Sequence, residues 1–193
     1  MSAALVAPHW QLYAAQVAQL NEMQDEIGYA SSTLVGAIRH LQAAADTAFE
    51  AKLACECFAH EHYFAGFTAD AARQTVGTTL RKQLELHFES ESKFLDLLAH
   101  HMHARLGQGW VWVVSIDGQL DIRTVDAGQT YLTAPDGDKI VPIFALDAWE
   151  HAYYPVFLQD YRAYVAAWWS VQDMVNAEKL IVDSLRRAGL DAD

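Results

Sequence analysis

Cysteine occurs only twice in the 193 residues, at Cys55 and Cys57, and proline only four times. Two cysteines cannot build a disulfide scaffold, so a reducing cytoplasm is the expected setting. Basic residues are also scarce, 13 Lys and Arg against 25 Asp and Glu, leaving a formal net charge of -12. That balance argues against nucleic acid or an anionic membrane as a bulk partner. It also opposes the long-range attraction of a small anion, so an anionic substrate would need a locally positive mouth. No apolar run reaches the ~18 residues of a membrane-spanning helix. The opening stretch, residues 1–8, has no basic region and is too short for a signal peptide.

What the chain has in quantity is apolar and aromatic residues. Hydrophobic side chains make up 52%, including six Trp, eight Tyr and eight Phe, which suits one domain or two small subdomains around a tightly packed centre. Residues 9–104 contain few breakers and read as helical, with Pro8 ahead of the first apolar-periodic run. A break is expected at 28–32, helices over 33–45 and 47–64, a loop at 66–70, and helices over 78–86 and 93–105. A cap is expected between the last two, within 88–92.

At Gly107-Gln-Gly109 the period changes. Residues 110–114 form a continuous β-prone run. The turn Asp117-Gly118 leads into a second strand over 119–125, and Pro135-Asp-Gly137 precedes a third over 139–146. Helices are expected again after Asp147, over 161–171 and 176–188. The expected class is α+β, an N-terminal helical hairpin domain (1–104) followed by a C-terminal three-stranded antiparallel sheet flanked by helices (105–193).

Histidines fall in four places: His9, His60/His62, His100/His101/His103, and His151. Cys55, Cys57, His60 and His62 look at first like a zinc site. On a helix, however, residues two apart point about 200° from each other and cannot share an ion. The cysteines are better read as small buried hydrophobes. His100, His101 and His103 run around a helix and suit a solvated or interfacial surface. Asp147 differs, because it ends an apolar strand, where a carboxylate is unfavourable unless paired or metal-bound. His151 lies four residues on, so the two converge if the segment coils. A metal site, a buried ion pair and a capping Asp all satisfy that spacing.

Several motifs together resemble the iron/manganese superoxide dismutases. Asp147-Ala-Trp-Glu-His-Ala-Tyr-Tyr154 resembles that family's D-x-W-E-H-A-Y-Y signature. Gly107-Gln-Gly-Trp-Val-Trp-Val-Val114 is similar to its G-S-G-W-x-W-L strand, and Tyr164-Val-Ala-Ala-Trp-Trp169 to its Y-x-x-x-x-W stretch. His60-Glu-His-Tyr-Phe64 falls in the H-x-x-[FY]-[WF] context of the second ligand. The stretch from His9 to Asn21 resembles a variant H-x-x-L-Y-x-x-Y-V-x-x-x-N.

The resemblance implies one iron or manganese ion per subunit, held by His9, His60, Asp147 and His151, with dismutation of superoxide to dioxygen and hydrogen peroxide as the activity. It implies that Trp110, Trp112 and Trp149 wall the site, and that Glu150 and Tyr154 lie at a homodimer or tetramer interface. The chain also departs from the pattern. Gln16 stands where the family has its gating Tyr, with Tyr13 as the nearest phenol. Gln129 is the residue expected to hydrogen-bond the metal-bound solvent, with Glu56 and Asp126 as other positions. Arg162 is the nearest match to the Arg that draws the anion in. These departures leave two alternatives: different oxygen chemistry on the same fold, or a non-catalytic relative.

Overall fold

A computed structural model describes residues 1–27, 33–44, 46–134 and 137–191. The expected break at 28–32, Ala45, and Pro135 and Asp136 of the expected turn lie outside the described residues. Eight α-helices and one sheet are present among the described residues: α1 (Ala3–Ile27), α2 (Leu34–Ala43), α3 (Ala48–Ala65), α4 (Thr78–Phe88), α5 (Glu91–Ala104), β1 (Trp110–Ile116), β2 (Gln119–Val125), β3 (Ile140–Asp147), α6 (Glu150–Phe157), α7 (Tyr161–Trp169) and α8 (Met174–Arg187). The α+β class read from the sequence is the architecture observed.

The first helix corrects one expectation. It begins at Ala3 and carries Pro8 inside it. Proline removes the N–H that would bond the Ala4 carbonyl, but Ala4 and Pro8 are both exposed, so water can take that acceptor. The helix therefore gains a turn and a half ahead of His9.

Helix α3 is the middle of the helical half, packed against α1, α2 and β3. Covered on so many sides, it buries both Cys55 and Cys57 although they point apart, as an all-round apolar helix does. Burial pushes each thiol up to about 12, so neither is a ready nucleophile or ligand.

Strand β1 lies between β2 and β3 in the order β2-β1-β3, antiparallel to both. This central place explains its unbroken apolar run, Trp110 to Val114, all buried. Asp117 and Gly118 both have positive φ and make the tight turn into β2. On the other side, Val114 opposes Pro142 at a register shift. Proline lacks a ladder donor and is tolerated because β3 is an edge strand. Helices α4 and α5 pack against α8, β2, α7 and β1. The start of α4 has no side-chain cap of its own. Instead the Glu178 carboxylate of α8 accepts from Thr79 N at 2.8 Å and Leu80 N at 2.7 Å.

The register places Trp110 opposite Asp147, so the beginning of β1 and the end of β3 meet at one end of the sheet. Two glycines hold that end. Gly107 and Gly109 have φ of +81 and +79, and their carbonyls accept from Glu150 N (3.3 Å) and Ala148 N (3.1 Å). A Cβ on Gly109 would run into the backbone carbonyl of Val125. Gly109→Ala is therefore expected to destabilise the protein by about 2 kcal/mol or more, left-handed strain plus a clash that backbone cannot relieve. Gly189, also at positive φ but with open space around it, is the control. Urea unfolding of the two alanine variants should show the larger loss for Gly109.

Candidate metal centre

Four side chains from four elements converge at that end of the sheet. His9 projects from α1, His60 from α3, Asp147 from the last residue of β3 and His151 from the first turn of α6. Asp147 Oδ2 lies 3.0 Å from His9 Nε2, 3.1 Å from His151 Nε2 and 3.6 Å from His60 Nε2. One ligand atom from each of the four falls within 4.8 Å of all the others. His60 and Asp147 are fully buried, His9 nearly so, and His151 keeps about a third of its side chain exposed (32%).

The protonation pattern shows what such a cluster can hold. His60 Nδ1 sits 2.9 Å from the Glu56 carbonyl, an acceptor only, so Nδ1 carries the proton and Nε2 presents a lone pair. That lone pair faces a carboxylate. His9 Nε2, although 3.0 Å from Oδ2, is out of hydrogen-bonding alignment, and both Nε2 atoms are buried without a hydrogen-bond partner. Burial pushes the His60 imidazole down to about 4 despite the pull of Asp147. Burial alone would raise the Asp147 carboxyl, but the hydrogen bond from His151 and the closeness of the His151 and His9 imidazoles outweigh it and hold the group well below the usual carboxylate range. Three imidazole nitrogens and an ionised carboxylate converging in a dry space fit a divalent or trivalent cation, and the N3O donor set suits iron or manganese.

The surroundings of the cluster are ordered by hydrogen bonds. Asp147 Oδ1 accepts from Trp149 N at 2.7 Å. The Tyr164 hydroxyl donates to the Asp147 carbonyl at 3.1 Å and lies 3.2 Å from the Tyr63 hydroxyl. Trp168 Nε1 donates to the Ala145 carbonyl at 3.1 Å. Tyr164 and Trp168 are one turn apart on α7, and Ala145 and Asp147 are two apart on β3, so one helix face is fastened to one strand edge. The sequence motif contained Tyr164 and Trp168, but nothing in it identified which carbonyls they would hold.

Trp110 and Trp149 both stand beside the cluster. The Trp110 ring lies 4.9 Å from the His60 ring and the Trp149 ring 6.2 Å from that of His151. Their indole N–H groups converge on one acceptor, Glu56 Oε2, at 2.9 and 3.1 Å. The other oxygen, Oε1, accepts from Gly128 N at 2.7 Å. Trp112 lies one layer further out, 5.1 Å from Tyr131. Tyr13 is half-buried and stacks on His60 at 5.7 Å, and burial raises its phenol, as do Glu61 and Cys57. Gln16 shares with Glu56, Trp149 and His151 a cavity of about 390 Å³ between α1, α3 and the loop at 127–128.

The structure does not bring Gln129 to the cluster. It is exposed and lines a separate depression with Arg123 and Tyr131. The physical reason is Gly128, whose φ of +68 aims its backbone N–H at Glu56 while the next side chain turns to solvent. The side chain found beside the cluster is that of Glu56, four residues before His60 and so one turn away on the same face of α3. Asp126 is an exposed partner of Arg105. Arg162 is also elsewhere, 3.3 Å from Asp96, in a depression it shares with His100 and His103. Glu150 and Tyr154 are exposed, one residue before and three after His151 on α6.

An α+β chain with a buried three-histidine, one-aspartate cluster where helices meet sheet is a candidate metalloprotein. Residues 76–180, more than half of the chain, match the model of the iron/manganese superoxide dismutases, C-terminal domain. The chain belongs to the iron/manganese superoxide dismutase family. The matched span contains Asp147 and His151, whereas His9 and His60 lie before it.

Two outcomes are expected. His60→Ala should lower affinity for iron or manganese more than tenfold, read by elemental analysis after dialysis. In the metal-free protein, His60 titrates near 4 rather than at its ordinary 6.5. Between those values the unfolded chain binds more protons, so stability falls as pH drops through that window, by up to ~3 kcal/mol. Urea unfolding of metal-free protein at neutral pH and near pH 4 checks this, and His60→Gln should flatten the dependence.

Proposed function

We propose that the protein is a superoxide dismutase carrying one iron or manganese ion per subunit, held by His9, His60, Asp147 and His151. The observation that carries this reading is the convergence of His9 and His60, from outside the matched span, on Asp147 within 3.0 and 3.6 Å. When bound, the metal supplies alternating one-electron oxidation and reduction of superoxide, giving dioxygen and hydrogen peroxide.

The chain's own residues supply everything around that chemistry. Asp147 contributes the anionic donor, with Oδ1 already engaged by Trp149 N, so Oδ2 faces the three imidazoles. The His60 Nδ1–H to Glu56 carbonyl bond fixes which ring nitrogen faces inward. Trp110 and Trp149 exclude water, which strengthens each electrostatic contact inside. Gln16 takes the gate position and can hydrogen-bond but not titrate. Tyr13, half-buried and stacked on His60, is the phenol assigned to proton delivery, because the Tyr63 and Tyr164 hydroxyls are engaged with each other and with the Asp147 carbonyl. The exposed Glu150 and Tyr154 beside His151 form the natural subunit contact of a homodimer or tetramer. A division of the chain at residue 104 would share the ligands two and two between the domains. No described helix is long and apolar enough to cross a membrane, and the cytoplasm is the setting that the cysteine usage favours.

A second reading, different oxygen chemistry on the same fold, is favoured by one observation. Glu56 places a carboxyl group where the family pattern has Gln or sometimes His, and its two oxygens are already taken by three donors. Purified protein with stoichiometric iron or manganese should turn over superoxide rapidly, and Asp147→Ala should abolish both metal and turnover. Stoichiometric metal with negligible superoxide turnover would instead favour the second reading, and no bound metal would favour a non-catalytic relative.

A further inference from the structure

The net charge of -12 repels a small anion from most of the surface, and Arg162 is engaged with Asp96 away from the cluster. The cavity beside His151 offers another source of positive charge. Its apolar walls include Leu12, Phe49, Leu53 and Trp149, and apart from His151 the single basic side chain lining it among the described residues is Lys52. The single acid lining it among the described residues is Glu56, one turn along α3. Both Glu56 oxygens are held by Trp110, Trp149 and Gly128, and no ion pair joins Lys52 to any described carboxylate. The stem of Lys52 lies across Gly128, where a Cβ would collide with it. Absence of a side chain at Gly128 thus lets the lysine rest on the loop that donates to Glu56, with the residue itself exposed at the cavity rim.

We propose that Lys52 recruits small monoanions into this cavity and so toward the His9–His60–Asp147–His151 cluster. Superoxide is such an anion, so the proposal deepens the dismutase reading and rests on it for the identity of the physiological ligand. The magnitudes favour a local charge over the global one. At physiological ionic strength the Debye length is about 8 Å, which screens most of the acidic surface from the cavity. A cation at the rim of an apolar-walled recess is screened less, and such recesses focus the field and raise local anion concentration. Lys52 is here a positioning residue, acting on the anion's approach and not on bond-making.

The test uses iron-loaded full-length protein and azide as the probe, followed by the absorbance change on titration and by stopped flow. Lys52→Gln is expected to weaken azide binding about three- to tenfold, mainly through the on-rate, and Lys52→Glu to weaken it further. Lys52→Arg should stay within about twofold of the native protein. The Lys52→Gln deficit should shrink as ionic strength is raised with sodium HEPES. Metal content should be equal in all four proteins, which a merely structural role would not combine with an ordering by charge. Equal azide affinity across the four would overturn the proposal, as would a loaded native protein that gives no azide response. If azide affinity follows the charge at position 52 while superoxide is not turned over, the dismutase reading fails and the anion route stands.

Discussion

Burial of the Asp147 carboxylate is the constraint on which the rest of the molecule depends. An ionised carboxylate without solvent is strongly unfavourable unless hydrogen bonds and positive partners surround it. Here Oδ1 takes the Trp149 amide, Oδ2 faces three imidazoles, and the residue's own carbonyl takes the Tyr164 hydroxyl. Each partner comes from a different element, so satisfying one carboxylate ties α1, α3, β3, α6 and α7 to a single point. Two imidazole nitrogens are buried without a hydrogen-bond partner, and such a set of donors fits a cation.

A second, half-buried carboxyl group makes the wall of the site. Glu56 gathers two indoles and a loop amide, and burial raises its carboxyl against the lowering effect of those donors. The three bonds join α3, β1, the loop at 127–128 and the segment leading into α6, so the tryptophans beside His60 and His151 are oriented and not merely packed. Gly107 and Gly109 act from the opposite side. Their left-handed backbone lets their carbonyls receive Glu150 and Ala148, which sets where α6 begins and hence where His151 points. The cavity between these walls borders Lys52 and Gln16.

Much of this was legible beforehand, for identifiable reasons. Helix and strand positions follow from local periodicity and turn chemistry, so β2, the Asp117-Gly118 turn and the helices over α3, α4 and α5 were readable within a few residues. The cysteine and histidine pairs two apart on α3 could be rejected as a zinc site by helix geometry alone. Pro8 misled because its effect depends on whether water can reach the Ala4 carbonyl, which periodicity does not report. Gln129 misled because a glycine at positive φ turns the backbone, and not the following side chain, toward the site. The Glu178 carboxylate that caps α4 from α8, 99 residues away for Thr79, has no local signal at all.

The sequence by itself determined the α+β class, the family motifs and the four residue types with the chemistry to bind a metal, because periodicity, turn residues and motif spacing are local properties. Only the tertiary structure decided that His9 and His60 meet Asp147, that Glu56 and not Gln129 joins the two tryptophans, and that Lys52 lines the cavity. Those outcomes depend on how α1 and α3 pack against the end of the sheet. Packing is set by the burial of the whole apolar surface, and no single segment encodes it.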